Sequence, residues 1–437
     1  VIPILTSVEM RAADAKALGG RNSDALVNLA GTAVALEAKR LVGSCYGARI
    51  IVIAGPGLNG ADGRVAGQWL NSRGAHVDVI GVNDAPRKLT RCDLVIDAAF
   101  GIGCSRPYVA PKVAKGTRVL AVDVPSGVDA DTGSILGEPL VATVTLALGA
   151  LKPAHLTGPS AGFVGELRFA GLGIDPTFDN GLVDDSDLSS MVRFGRNDHK
   201  WAHAIEALVG STPMPGAAEL VVRGALAGGA SMIRLMSRGD VAGFVTLPPE
   251  VVHSTGANVD PRCRAIVCGP GLGPNAPEWL QERVAHLDVP LVVDADGLDR
   301  AMIDELSPRD GSWVLTPHEG EFTRLSGQPV AANRFDAVRE MARSTGCVVL
   351  LKGPTTIIAN PDGQLRVVNS GTPALATAGT GDVLAGLIAA TIARGHDPLS
   401  AAALAAHLHG RAGSRLRAYA TASDVVAEIH QIMSELR

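Results

Sequence analysis

The chain has 437 residues, is 46% hydrophobic, 19% charged and 3% aromatic, and carries 51 glycines and a formal net charge of −5. That length exceeds what one hydrophobic core usually organises, so two domains are expected; an acidic balance without a basic block argues against nucleic acid or an anionic membrane surface as partner. The longest apolar stretches, such as Leu140 to Leu151, fall short of the roughly 20 residues a membrane span needs, and scattered cysteines without zinc or redox spacing suit a reducing cytoplasm.

In chain order, Thr6-Ser7-Val8-Glu9 has capping-box spacing and opens a helix through Met10, Ala13 and Ala17. Apolar runs then alternate with helical patterns: Arg49 to Ala54, His76 to Val82, Leu94 to Ala98, Arg118 to Val124 and Ala142 to Leu148 are expected as buried strands. Gly, Asp, Pro and Ser dominate from Gly171 to Ser190. This places a first domain at 1–180, a linker at 181–195 and a second domain at 196–437. A second series of strands is expected at Ile205 to Val209, Ile233 to Met236, Arg264 to Cys268, Leu291 to Asp294, Trp313 to Thr316, Cys347 to Lys352 and Thr356 to Ile358. Such alternation predicts the α/β class, with parallel sheets covered by helices on both faces.

The chemistry-bearing residues follow the apolar runs. Ala54-Gly55-Pro56-Gly57-Leu58-Asn59-Gly60 and Cys268-Gly269-Pro270-Gly271-Leu272-Gly273 look alike, each a glycine turn where open α/β sheets place ligands. The loop Gly55 to Gly63, with Asn59 and Asp62, could wrap a phosphate with backbone N–H groups before a helix through Val65, Trp69 and Leu70. Asp97 to Gly103 and Asp123 to Gly133 add two more oxygen-rich tips. An aspartate closing a strand also suits a plain helix cap. Three on one edge favour a site, because desolvated carboxylates need partners or a cation.

In the second half, Asp294 to Leu298, Thr316 to Glu321 and Lys352-Gly353-Pro354-Thr355-Thr356 play the same part. Lys352 is a point charge suited to phosphate. His318 suits a substrate hydrogen bond or a cap equally, and Glu321 either orients it or complements the helix dipole. The densest signal is Ala378-Gly379-Thr380-Gly381-Asp382-Val383-Leu384, a glycine turn and a carboxylate ahead of an apolar helix running from Val383 to Ala393. A helix N-terminus offers unpaired N–H groups and a positive dipole end to phosphate oxygens, and Asp382 would stand beside them as a base. The same residues suit an ordinary helix boundary; the neighbouring motifs favour the site.

Leu5-Thr6 with Met10-Arg11 and Asp14, the Gly55 to Gly63 loop, Asp97 to Gly103, the string Val-Asp-x-Pro-Ser-Gly-x-Asp-Ala-Asp-Thr-Gly ending at Gly133, and Gly149-Ala150-Leu151-Lys152-Pro153 occur in order. With these the first half resembles the amino-terminal domain of the NAD(P)H-hydrate repair family, the NAD(P)HX epimerase. The resemblance implies a Rossmann-like three-layer fold and potassium held by Asn59, Asp97 and Ser126. It also implies Asp123 as acid/base group and coenzyme contacts from Leu58, Asn59, Gly60, Ala61, Asp62, Gly101, Gly103 and Asp123. The family loop usually reads Asn-Asn-Gly-Gly-Asp-Gly; Leu58 here replaces one amide and Asn59 keeps the other. Lys152 is a second choice as proton donor, although a lone Lys before Pro is usually a solvated loop residue.

The second half resembles the carboxyl-terminal domain of the same family, the nucleotide-dependent NAD(P)H-hydrate dehydratase, a relative of ribokinase-like kinases. Leu247-Pro248-Pro249-Glu250 and His409-Gly410-Arg411-Ala412-Gly413 extend the match. By this resemblance Lys352, Gly353, Pro354, Thr355, Thr356 and Gly381 hold ADP, or ATP, with magnesium, while Gly273, His318 and Asp382 face the hydrate. The match is poorest at Asn197-Asp198-His199-Lys200-Trp201, where the family has glycines, and at Met214-Pro215-Gly216-Ala217-Ala218, where it has an aromatic; ring contacts are expected to differ there.

The implied function is metabolite repair: exchange of the R and S epimers of NADHX and NADPHX, then nucleotide-driven dehydration of the S form. The implied partners are these small molecules and an adenine nucleotide, in a homo-oligomer for which Leu399 to Leu408 could supply subunit contacts. The glycine-Asp motif alone leaves open a ribokinase-like vitamin or sugar kinase whose first domain is a non-catalytic binding module. Retention of Asn59, Asp97 and Asp123 favours the enzyme pair.

Overall fold

In the computed structural model, which describes residues 1–19, 23–191, 195–254, 258–285, 287–417 and 419–436, Thr6 caps helix α1 (Ser7–Leu18) as its spacing predicts. Its hydroxyl accepts the Glu9 N–H, and the Glu9 carboxylate accepts the Thr6 N–H at 2.7 Å. The chain divides into two units, Ile2–Phe178 and Asp179–Arg437, the latter with Val1.

The first unit is built on six strands, β1 (Arg49–Ala54), β2 (His76–Gly81), β3 (Leu94–Ala98), β4 (Arg118–Val122), β5 (Val144–Leu148) and β6 (Glu166–Ala170). All are parallel, in the order β2-β1-β3-β4-β5-β6. One face packs on α2 (Asp24–Val42) and α3 (Leu58–Asn71) through Val34, Ala66, Leu70, Val52 and Ile96. The other face, with Ile51, Ile53 and Val95, is covered by Leu89, Cys92 and Tyr108 from the connections. The edge strand β6 escapes sequence reading because its residues are half-buried or exposed and carry no apolar run.

The second unit holds ten neighbouring strands: β7 (Asn180–Leu182), β8 (Ala204–Ser211), β9 (Met232–Arg238), β10 (Val251–His253), β11 (Ala265–Cys268), β12 (Leu291–Val293), β13 (Trp313–Leu315), β14 (Val348–Leu351), β15 (Thr356–Ala359) and β16 (Leu365–Val368). Their order is β7-β16-β15-β14-β13-β12-β11-β8-β9-β10. The run expected as a linker is not one. β7 pairs in parallel with β16, and Val183, Leu188 and Met191 are buried in the core, so this run is part of the second unit. Its Asp and Ser residues misled because they make short turns among those anchors, as where Asp184 accepts the Ser186 N–H at 2.8 Å.

Helices α4 (Pro215–Ala227), α8 (Thr380–Ala393), α9 (Pro398–Arg415) and α10 (Ala422–Glu435) share the core of one face; α5 (Ala276–Val284), α6 (Glu319–Ser326) and α7 (Arg334–Thr345) precede α8 in the chain. Leu399, Leu404 and Leu408 are buried in that core, so the run expected to offer subunit contacts is spent inside its own unit. Among the described residues no helix is long and apolar enough to cross a membrane.

α4 and α8 meet backbone to backbone. A Cβ on Gly386 would lie 2.1 Å from the Val221 carbonyl oxygen, and one on Gly224 would lie 2.3 Å from that of Val383. Since α8 carries Asp382 in its first turn, this contact sets where the carboxylate stands. Gly386→Ala is therefore expected to cost about 1–3 kcal/mol by overpacking, read as a lower urea midpoint for the second unit; an unchanged midpoint would show that the contact is not tight.

Candidate functional site

β1, β3, β4 and β5 are parallel neighbours, so Gly55, Ala99, Asp123 and Gly149, each following its strand, share one edge. A cavity of about 460 Å³ opens there, lined by Leu58, Asn59, Asp62, Gly101, Gly103 and Asp123 together with Met10, Asp14 and Lys152. The expected glycine loop is shorter than it looks: Gly57 caps α3, whose first turn already holds Leu58, Asn59 and Gly60. The N–H groups near the cavity therefore belong to a helix N-terminus. Gly60 and Ala61 are outside the cavity lining. Gly60 has to lack a side chain, because a Cβ would sit 2.0 Å from the Gly55 carbonyl oxygen.

Behind the wall, Asp97 is 1% exposed, and its carboxylate accepts the N–H groups of Ser126 at 3.0 Å and Ala99 at 3.4 Å. Burial pushes its pKa up. The Ser126 hydroxyl accepts the Phe100 N–H at 2.9 Å and donates to the Phe100 carbonyl at 3.1 Å. Asn59 Nδ2 is buried with no hydrogen-bond partner among the described residues. One carboxylate, one amide and one hydroxyl make an oxygen donor set suited to a hard cation. Among the described residues no cluster of three or more His, Cys, Asp or Glu could hold a metal.

Asp123 has φ 66°, a conformation uncommon outside glycine. Its Oδ1 accepts from the Lys152 ammonium and from the Leu148 N–H at 3.1 Å. Lys152, expected in solvent, is instead 0% exposed, and its ammonium also donates to the carbonyls of Leu148 and Ala150, each at 2.9 Å. The sequence misled because lysine is almost never fully buried unless paired, and its partner lies 29 residues away. Asp62 is pushed up to about 8 by burial, then by the charges of Asp123 and Asp14, so its carboxyl keeps a proton at neutral pH. Asp14 is likewise raised by burial, with Lys152 opposing and Asp123 reinforcing.

In the second unit β11, β12, β13 and β14 are parallel neighbours, which brings Gly269, Asp294, Thr316 and Lys352 to one edge. Lys352 Nζ donates to Asp294 Oδ1 at 2.8 Å and lies 3.9 Å from the Glu321 carboxylate. Burial works to lower this ammonium's pKa, but Asp294 and Glu321 outweigh it and the net shift is upward. Gly379, at φ 88°, turns the chain into α8, so the helix begins at Thr380 and Asp382 falls in its first turn. Gly381 stands beside the ion pair: a Cβ there would be 3.5 Å from Lys352 Nζ and 3.8 Å from Asp294 Oδ2. Asp382 is pushed up to about 7, first by burial and then by Asp294, against the pull of Lys352. A helix N-terminus, an ammonium and a carboxyl that changes charge near neutrality thus meet in one place.

His318 caps α6. Its Nδ1 accepts the N–H groups of Gly320 at 3.0 Å and Glu321 at 3.2 Å, and the Glu321 carboxylate accepts the His318 N–H at 2.8 Å. The Gly273 N–H donates to Asp296 at 2.9 Å, and Gly273 lines a cavity of about 470 Å³ with Met214, Asp296 and Arg324; Asp382 is not part of that lining. Gly353 and Pro354 are exposed, Thr355 is half-buried, and Thr356 opens β15. His409, whose ring bonds the Thr380 backbone, is pushed down to about 4 by burial. Its place in a matched string was the only sequence signal for it. His155 had none.

The two departures from the family part company in space. Trp201 precedes the amino end of β8, where the Arg262 guanidinium stacks 3.6 Å over its ring; the candidate site lies at the opposite, carboxyl end, where Ser211 bonds Gly271. Met214, by contrast, sits at the cavity beside Gly273.

Fold and edges define a two-site α/β enzyme. Residues 205–435 match the family described as NAD(P)H-hydrate dehydratase, and residues 23–90 and 81–154 match the YjeF-related protein N-terminus. The chain is 34% identical to the bifunctional NAD(P)H-hydrate repair enzyme of Mycobacterium leprae, over 90% of this chain and 89% of that protein. It is 31% identical to the enzyme of the same name from Salinibacter ruber, over 94% and 92%. A solved structure, the ADP/ATP-dependent NAD(P)H-hydrate dehydratase of Bacillus subtilis co-crystallised with ATP/Mg2+, superposes with a TM-score of 0.53 at 28% identity, covering 58% of this chain and 98% of that one. A ribokinase-like superfamily protein of Enterococcus faecalis, 20% identical with a TM-score of 0.53, shares the fold. The chain belongs to the bifunctional NAD(P)H-hydrate repair family.

Because ionised Asp62 is disfavoured in the fold, the first unit should lose stability as pH rises from about 4, the unfolded range of an aspartate, to about 8. Carbon-detected NMR should find one carboxyl titrating near 8 that vanishes in Asp62→Asn; a spectrum in which every carboxyl titrates below 5 would contradict this (~5 being the upper end of ordinary carboxylates).

Proposed function

We propose that the first unit exchanges the R and S epimers of hydrated NADH and NADPH and that the second dehydrates the S form at the expense of ADP or ATP. The observation that carries the reading is Asp382, set in the first turn of α8 beside Lys352 and Gly381, with its carboxyl pushed up to about 7. The relatives named above support it.

The substrate carries a hydroxyl on the ring carbon next to nitrogen, and the nitrogen lone pair lets that C–O bond open reversibly. In the first unit the leaving hydroxyl takes up a proton as the bond opens, and water returns to either face as a carboxylate removes its proton. Asp123 is the proton acceptor and donor, within a cavity that also holds the protonated Asp62; a positioned acid/base group contributes about 10²–10⁴ in rate. Asn59, Asp97 and Ser126 would hold potassium, and their oxygen donors fit it. Its charge would balance the buried Asp97 and favour the coenzyme phosphates.

In the second unit Asp382 accepts the ring hydroxyl's proton as that oxygen attacks the terminal phosphorus, and the phosphoanhydride bond breaks so that AMP (from ADP) or ADP (from ATP) departs. The N–H groups at the start of α8, with Lys352 and the backbone through Thr356, receive the phosphates. Phosphoryl transfer needs mainly positioning and charge stabilisation. Magnesium, when bound with the nucleotide, would supply positive charge to the phosphates; Asp294, Glu321 and Asp382 are the carboxylates beside Lys352. The phosphate then leaves with the nitrogen's push, and loss of the neighbouring proton restores the dihydronicotinamide. Six buried cysteines without a disulfide suit a cytoplasmic enzyme, and a homo-oligomer is part of the same reading.

Incubating the protein with hydrate and nucleotide is expected to release inorganic phosphate with recovery of NADH absorbance; a stable phosphorylated product would point to a kinase instead. Asp123→Ala should abolish epimer exchange and leave dehydration of S, and Asp382→Asn should do the reverse. Because Asp382 has to be ionised to act, kcat/KM for the hydrate should rise through about pH 7. A flat profile between pH 6 and 8 (~1 unit either side of that midpoint) removes Asp382 as the base.

A further inference from the structure

We infer that Lys152 and His155 are a positioning pair that holds Asp123 in its working geometry, an inference that rests on the epimerase reading above. Lys152 has three N–H bonds to give, and three acceptors take them: Asp123 Oδ1 and the carbonyls of Leu148 and Ala150. With the side chain fully buried, no donor is left for a substrate. The ammonium therefore does not deliver protons to the ring. It fixes one oxygen of the carboxylate, which also accepts the Leu148 N–H at 3.1 Å, and balances its charge. Asp123 Oδ2 has no protein hydrogen bond among the described residues, so it is the oxygen left for chemistry in the cavity that Asp123 lines.

His155 holds the other end of the same residue. The Lys152 N–H donates to His155 Nδ1 at 3.0 Å, which places the ring proton on Nε2, and Nε2 donates to the Asp123 carbonyl at 2.7 Å. Pro153 sets the short helical turn Pro153–His155 that carries both groups, so residues 152 and 155 grip one aspartate from its side chain and its backbone. The histidine stays neutral because burial, and then the Lys152 charge, push it down to about 4. The grip has a purpose. Asp123 sits at φ 66°, a strained conformation for an aspartate, in a cavity it shares with the carboxyls of Asp14 and Asp62.

The test uses the full-length protein without nucleotide, so that dehydration cannot drain the pool, and follows interconversion of purified S and R hydrate by chromatography. Lys152→Met should lower kcat for exchange by at least about 100-fold with KM within about twofold, because its three ammonium donors are all committed within the protein. In Lys152→Ala, added ethylammonium should restore part of the rate by refilling the charge. His155→Phe keeps the ion pair and the ring volume but drops both hydrogen bonds, and should lower kcat roughly tenfold through misplacement. It decides the matter if circular dichroism shows that Lys152→Met does not fold. Parental kcat in either folded variant, or a loss confined to KM, overturns the pair's role. A parental protein that exchanges no epimers overturns the epimerase reading, and the inference with it.

Discussion

At each site a lysine ammonium taken largely out of water balances a carboxylate at the end of a parallel strand, Lys152 with Asp123 and Lys352 with Asp294. Desolvating a charge costs several kcal/mol, and a paired, hydrogen-bonded partner is what makes it tolerable. The parallel sheets make this pairing possible. Crossover connections put the carboxyl ends of the parallel strands on one edge, so residues far apart in sequence arrive together, and the charges they bring have to be balanced there.

The two pairs differ in what is left over. Lys152 has spent all three donors inside the protein, whereas Lys352 is 23% exposed and shares itself between Asp294 and Glu321. A fully committed ammonium can only orient; one at a rim can exchange a carboxylate neighbour for a phosphate oxygen. The same residue type therefore performs two tasks, and burial decides which.

Much of this was legible from sequence. Most strands lay where apolar runs predicted, β6, β7, β10 and β16 being missed, while the capping box at Thr6 formed as spelled and the glycine turn at Gly379 opened a helix with Asp382 in its first turn. Three things were not legible, each because the cause is long-range. The supposed linker looked polar, yet pairs with a strand 185 residues on, Asn180 with Leu365. Lys152 looked solvated because nothing local reveals a partner across the sheet. His318 could have served substrate or cap, and only the placed helix shows its Nδ1 engaged by two N–H groups. Resemblance also needed geometry beside it: the glycines replaced at Trp201 lie at the amino end of a strand whose other end meets the site, while the lost aromatic at Met214 is at the cavity itself.

The glycine-to-carbonyl contact between α4 and α8 has a mechanical corollary. Two helices whose backbones touch at 2.1–2.3 Å from where side chains would begin have no compressible layer between them, so they translate as one slab. Asp382 is bolted to that slab. The exposed turn at Gly353 and Pro354 stands outside that slab, so the base and the phosphate-facing turn belong to separate pieces of the unit.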